Sequence, residues 1–266
     1  MDINPRFPKL PKQSLLKGNF FKIFHQNVRS LRGKHQELLS HLFLNLPHVL
    51  CLTEHHLKAL ELQTITLDQY TIGAHFCRTS YAQGGVVIYT HNSLHSSPIN
   101  LSKYCVEKDI EICAVKLEVQ SSVFCIITVY RSPSGNFNRF LETIDAVLQS
   151  VYSPSLGIII CGDININYLV VNEQRKQLDN LLLLYNLVGI VDFPTRLKPI
   201  HQLLLLIMSS LMCLDFMITW LLPTLMAYQT TTLRYWPSGP YTQVSPLVQN
   251  LRERWTNKQY PILYLP

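Results

Sequence analysis

The chain has 266 residues, 47% of them hydrophobic, and 23 Lys+Arg against 17 Asp+Glu, a formal charge of +6. That length and apolar share exclude a chain too polar to bury a core and admit one large α/β domain or two small ones. The mild basic excess suits an anionic partner such as nucleic acid without identifying one.

Residues 1–18 are polar, basic and proline-bearing and read as a tail. They lack the apolar run and small-residue cleavage site of a secretory signal, so the expected location is intracellular, nucleus or cytoplasm, and not secreted. Phe20 to Asn27 (FFKIFHQN) predicts a strand, and Gly33 to Leu46 a helix, with apolar positions Leu38, Leu39, Leu42, Phe43 and Leu46. His48 to Thr53 predicts a buried strand that delivers Glu54. Gly85–Thr90, Ile110–Leu117 and Val123–Tyr130 predict three more strands. A turn over Ser132–Asn136 precedes a helix from about Phe137 to Ser150, and the apolar strand Leu156–Cys161 runs straight into Gly162-Asp163-Ile164-Asn165. Seven cysteines (Cys51, Cys77, Cys105, Cys113, Cys125, Cys161, Cys213) are scattered, mostly in apolar runs, with no Cys-x-x-Cys pair. Zinc is therefore disfavoured and a reducing compartment favoured.

Several strands thus end on polar residues, where layered α/β folds build sites. Asp163 and Asn165, two apart on extended chain, point the same way and can meet one phosphate or one attacking water; an ordinary turn is the competing reading. Glu54 at a strand terminus can hold a hard cation such as Mg²⁺, with water filling other positions. His55 and His56, adjacent on extended chain, face opposite sides, so loop or surface histidines are expected rather than a zinc pair. Tyr130 and Arg131 follow a strand in the same way; a hydroxyl and a guanidinium fork suit phosphate oxygens, while packing is the alternative for the tyrosine. Asn27, followed by Arg29, Arg32 and Lys34, can orient a metal or a phosphate, or simply cap its strand.

The succession Gln26-Asn27-Val28-Arg29-Ser30, Leu52-Thr53-Glu54, Gly84-Gly85-Val86, Val129-Tyr130-Arg131-Ser132-Pro133, Gly162-Asp163-Ile164-Asn165 and Asp192-Phe193-Pro194-Thr195-Arg196 resembles the endonuclease/exonuclease/phosphatase superfamily. Its wording is most similar to the endonuclease domain of insect-type non-LTR retrotransposons, which accompanies a reverse transcriptase, and the resemblance covers about Phe20 to Arg196. It implies a four-layer α/β sandwich, two mixed β-sheets flanked by helices, and cleavage of DNA phosphodiesters with Mg²⁺ or Mn²⁺ (Mg2+ or Mn2+). It further implies Asn27 and Glu54 as the metal-site pair and Tyr130 as a phosphate contact. Asp163 becomes the residue that activates water and Asn165 the one that orients phosphate, with Arg29 and Arg131 toward phosphate or DNA. DNA is the expected partner and a monomer the expected state.

Two family segments are absent from the sequence: a late Asp in an Ile-Asp-x-x-Phe type strand, and a Ser-Asp-His segment near the end. The sandwich is accordingly expected to be incomplete at its C-terminus. Met226–Thr232 can be encoded so that a shifted frame reads Asn-Gly-Ile-Ser-Asp-His-Asp, and the same regrouping of Leu205–Met212 permits Ile-Asp-Tyr-Val-Phe-Ile-Asn. A frameshift after about Arg196 therefore accounts for both losses, and an endonuclease by descent with impaired activity is the leading expectation. It also accounts for the almost wholly apolar run Leu203–Leu225, long enough to span a bilayer, for which a membrane anchor is the competing reading. The expected organisation is tail 1–18, nuclease-type domain 19–198 and aberrant tail 199–266. The alternatives are a non-catalytic nucleic-acid-binding remnant and a phosphoesterase of the same superfamily acting on small phosphate esters.

Overall fold

Apolar residues fill both faces of the central strands, so each strand needs a partner layer on either side. In the computed structural model, residues 20–44, 46–119 and 122–190 are described, with the backbone of strands 207–209, 216–221 and 229–235. The strands are β1 (Phe20–Asn27), β2 (Val49–Thr53), β3 (Tyr70–Phe76), β4 (Val86–His91), β5 (His95–Ile99), β6 (Glu111–Val119), β7 (Ser122–Tyr130), β8 (Gly157–Asp163), β9 (Leu187–Gly189), β10 (Ile207–Ser209), β11 (Phe216–Leu221) and β12 (Gln229–Tyr235). The helices are α1 (Leu31–Leu44), α2 (Ala59–Gln63), α3 (Phe137–Val151) and α4 (Glu173–Leu183).

They form two mixed six-stranded sheets, ordered β11-β12-β1-β2-β4-β3 and β5-β6-β7-β8-β10-β9. Period-two alternation sorts the side chains into layers. Val49 and Cys51 of β2, with Val86 and Ile88 of β4, join the core shared with the second sheet. Leu50 and Leu52, with Val87 and Tyr89, face the other way, onto Leu31, Leu38 and Leu42 of α1. Phe140, Ile144, Val147 and Leu148 of α3 and Leu178 and Leu182 of α4 pack with the second sheet. This is the four-layer α/β sandwich that the motif order implies. Asn136 and Asn172 start α3 and α4 by accepting the N–H groups of Arg139 and Arg175 at 3.0 and 2.8 Å.

The predicted helix after β1 begins two residues earlier than its apolar pattern suggests, at Leu31. Beyond residue 190 only β10, β11 and β12 are described; β12 pairs antiparallel with β1, Phe20 opposite Arg234. Among the described residues no helix is long and apolar enough to cross a membrane. Within 203–225 the described backbone is β10 and β11; the rest of that run lies outside the described residues, as do Asp192–Arg196 of the motif series.

Two parallel pairings place the site. β1 and β2 run together with Asn27 beside Thr53, and β7 and β8 run together with Tyr130 beside Asp163. Each pair carries its polar termini to the same end of its sheet.

Candidate active site

Asn27, Glu54 and Asp163, up to 136 positions apart in sequence, meet across the two sheets. The Asn27 Nδ2 group donates to Glu54 Oε1 at 2.6 Å and to Asp163 Oδ2 at 2.6 Å. Asp163 is buried, and Glu54 leaves its strand with φ 54°, a left-handed conformation that turns its carboxylate toward the second sheet. Tyr130 joins the group, its hydroxyl close enough to Glu54 to feel that carboxylate. Burial raises its pKa, with Glu54, Asp163 and Glu111 pushing the same way. The phenol therefore stays protonated and acts as a donor.

The loop after β8 is fixed from beneath. Arg131 was expected to offer its fork to a phosphate; instead it is buried, with Nε on Ile164 O at 2.8 Å, one terminal nitrogen on Gly135 O at 2.7 Å and the other on Asn165 O at 3.0 Å. Three carbonyls within reach draw the guanidinium inward, since each needs a donor once buried. Asn165, at φ 50°, returns the contact by donating Nδ2 to Arg131 O at 2.6 Å, and its N–H lies 3.3 Å from Asp163 Oδ1. Gly162 has no room for a side chain: a Cβ there would lie 1.8 Å from Val129 O. Beside Asn165 an open polar groove is lined by Asn167, Asn172, Glu173 and Gln174.

The basic residues after β1 separate. Arg29 is exposed beside the cluster and close enough to His56 to bear on its charge. Arg32 and Lys34 turn to carboxylates, at 3.0 Å from Glu61 and 2.7 Å from Glu37. The two histidines, on a segment bent by the positive φ of Glu54 and His56, take different partners and are not surface groups. His55 is fully buried, with Nδ1 accepting from Leu57 N–H at 3.0 Å, which leaves Nε2 as the donor toward Phe76 O at 3.1 Å. Burial lowers its pKa to about 4. His56 Nε2 lies 3.5 Å from Glu54 Oε2. Its pKa is lowered by burial, against the pull of Glu54 and with help from Arg78 and Arg29. Sequence reasoning missed His56 as a member of the cluster, and missed the buried pair Arg78 and Glu111 beneath it; a charged residue opening the apolar strand Ile110–Leu117 was the one available signal.

The donor set fits a hard divalent cation. Asn27 Oδ1 is buried without a hydrogen-bond partner, and the amide nitrogen stands between two carboxylates. Glu54, Asp163 and that orphaned oxygen are all hard ligands. Among the described residues no group of three His, Cys, Asp or Glu side chains is placed to hold a metal. Water and substrate oxygens would have to complete such a site, as is usual for Mg²⁺.

Fold and cluster together define the class: a two-sheet α/β sandwich with an oxygen-rich site where the strand ends of both sheets meet. The chain belongs to the Endonuclease/Exonuclease/phosphatase family, whose pattern matches residues 24–243, past Arg196, where the motif resemblance stops. Its fold is similar to that of the endonuclease domain of TRAS1, a telomere-specific non-LTR retrotransposon, at TM-score 0.63 and 14% identity over 81% of this chain and 98% of that one. It is also similar to the AP endonuclease LMAP from Leishmania major, at TM-score 0.63 and 17% identity over 81% and 88% of the two chains. An AP endonuclease from Archaeoglobus fulgidus matches at TM-score 0.55 and 14% identity over 81% and 99%. No curated protein matches the sequence.

Proposed function

We propose that the chain is a metal-dependent DNA endonuclease by descent, of the kind that nicks a target for retrotransposition, with turnover impaired in this copy. The observation that carries the reading is the Asn27–Glu54–Asp163 junction, with Tyr130 beside Glu54. Asn27 and Glu54 would hold Mg²⁺ or Mn²⁺, which when bound supplies charge for the phosphoryl oxygens. Asp163 accepts the proton of a water attacking phosphorus as the P–O3′ bond breaks, and the departing oxygen takes a proton from solvent, leaving a 5′ phosphate and a 3′ hydroxyl. Tyr130 donates to the phosphate, and Asn165, whose amide has a second N–H left, orients it. Arg29 contributes charge on the exposed side, and Arg131 holds the loop rather than the substrate. The resemblance to retrotransposon endonucleases and the similar fold of TRAS1 support DNA over small phosphate esters.

Impairment rests on the missing late Asp and Ser-Asp-His segment, and the boundaries 1–18, 19–198 and 199–266 belong to the same proposal. Supercoiled plasmid with Mg²⁺, compared with a nitrophenyl phosphate ester, tests the substrate. Relaxation by the chain, or by one carrying the shifted-frame tail, supports the reading. Ester turnover without relaxation by either chain overturns it. The gene sequence across codons 190–235 tests the frameshift: a shifted frame that lacks both segments removes it.

A further inference from the structure

Building on that nuclease reading, we infer that Arg78 and Glu111 are positioning residues that hold the two halves of the site in registry. The halves belong to different sheets: Asn27 and Glu54 come from the ends of β1 and β2, Tyr130 and Asp163 from the ends of β7 and β8. Catalysis by such a split site depends on the distance between the sheets at this end, since a misplacement of about 1 Å can cost about 10²-fold in rate.

Glu111 opens β6, directly opposite Tyr130 of β7, and is only 1% exposed. Its carboxylate reaches across to the other sheet. Oε1 takes Arg78 Nε at 2.5 Å, and Oε2 takes the N–H of Gly85, just before β4, at 2.5 Å. Arg78, 7% exposed, lies on the β3–β4 connection with its guanidinium 6.0 Å from the centre of the Tyr130 ring. The tie continues to Glu54. Gly85, at φ +88°, leaves so little room that an added Cβ would sit 2.3 Å from His55 Nε2. His56 N–H donates to Gly84 O at 2.9 Å, and Ser30 N–H donates to Glu54 O at 2.9 Å. One carboxylate on the second sheet thus fixes the segment that carries Glu54 on the first, while its ion-pair partner lies against Tyr130.

Stability does not explain a pair so deeply buried, because apolar residues in place of a buried ion pair are often neutral or stabilising. Placing Tyr130 and Glu54 against one another does explain it. The test is the double variant Arg78→Met with Glu111→Gln in the full chain. It removes both charges and keeps a carbonyl for the Gly85 N–H. The expected result is a thermal midpoint close to the parent, with the Ser30 and His56 amides exchanging about tenfold faster. Nicking should fall by about 10²-fold in kcat, with KM for DNA little changed.

Parental exchange at both amides with an unchanged midpoint overturns the inference. If neither the parent chain nor the one carrying the shifted-frame tail nicks DNA, the nuclease reading has failed while amide exchange still decides this one. If the double variant does not fold, Arg78→Lys takes its place, keeping the charge and losing the fork. Faster exchange at Ser30 and His56 supports the inference, and parental exchange overturns it.

Discussion

Replacing Asn27 with Asp puts a third carboxylate where an amide nitrogen now lies 2.6 Å from Glu54 and 2.6 Å from Asp163. At an effective dielectric of about 20, each like-charge pair at about 4 Å costs about 4 kcal/mol, so two pairs cost about 8. Protonating one carboxyl is cheaper. From an ordinary Asp pKa of about 3.9, keeping a proton costs at most about 4 kcal/mol at pH 7 and about 1.5 at pH 5. The sign follows from linkage: a carboxyl whose folded pKa is raised costs stability above its unfolded pKa, and the cost shrinks as pH falls. The two lost hydrogen bonds add a part that does not vary with pH, so the readout is the difference between pH values, about 2.7 kcal/mol at most. For a chain of this size that is about 5–11 °C in Tm. Thermal melts of parent and Asn27→Asp at pH 5 and pH 7, with and without Mg²⁺, measure it, and Mg²⁺ should stabilise the variant more than the parent. A variant that tracks the parent at both pH values without metal refutes the placement of Asn27 between the carboxylates.

Arg131→Met should destabilise the fold by about 3 kcal/mol, because one buried and two half-buried carbonyls lose their donor; chemical denaturation measures it, and a loss below about 1 kcal/mol contradicts the role. Gly85→Ala should cost at least about 1 kcal/mol from its left-handed backbone, and more from the crowding against His55; a melt at the parental midpoint would show the segment yields freely. The Glu107 carboxyl is opposed by burial, yet N–H groups of Thr79, Ser80 and Tyr81 outweigh that and hold it down at about 2 against an ordinary 4.5. Its contribution is full above about pH 4.5 and is lost as pH falls through about 2. Amide exchange of Thr79–Tyr81 should rise over that window, and Glu107→Gln should abolish the pH dependence.

The layers were legible only through the order of the motifs, since β2 and β4 are buried on both faces and their alternation between two cores shows only in the structure. The site was legible because Asn27, Glu54, Tyr130 and Asp163 each end an apolar run. What escaped the sequence depended on direction or on long-range partners. Arg131 after a strand reads alike whether it points outward or in; only the carbonyls of Ile164 and Asn165, over 30 residues away, turn it inward. Arg78 and Glu111 are likewise 33 positions apart, with nothing local to join them. β3 lies at a sheet edge with a register shift between Ile72 and Ala74, which breaks the alternation that would have marked it. His55 is buried by a Gly85 that no local pattern links to it.

The most direct test of the central claim is single-turnover nicking of supercoiled DNA in Mg²⁺ by the chain, by Glu54→Gln and by Asp163→Asn. The account predicts slow but measurable nicking by the parent, lowered at least about 10²-fold by either substitution. Melting should change little, and a chelator should abolish the reaction. Nicking that survives both substitutions, or that persists in chelator, contradicts it.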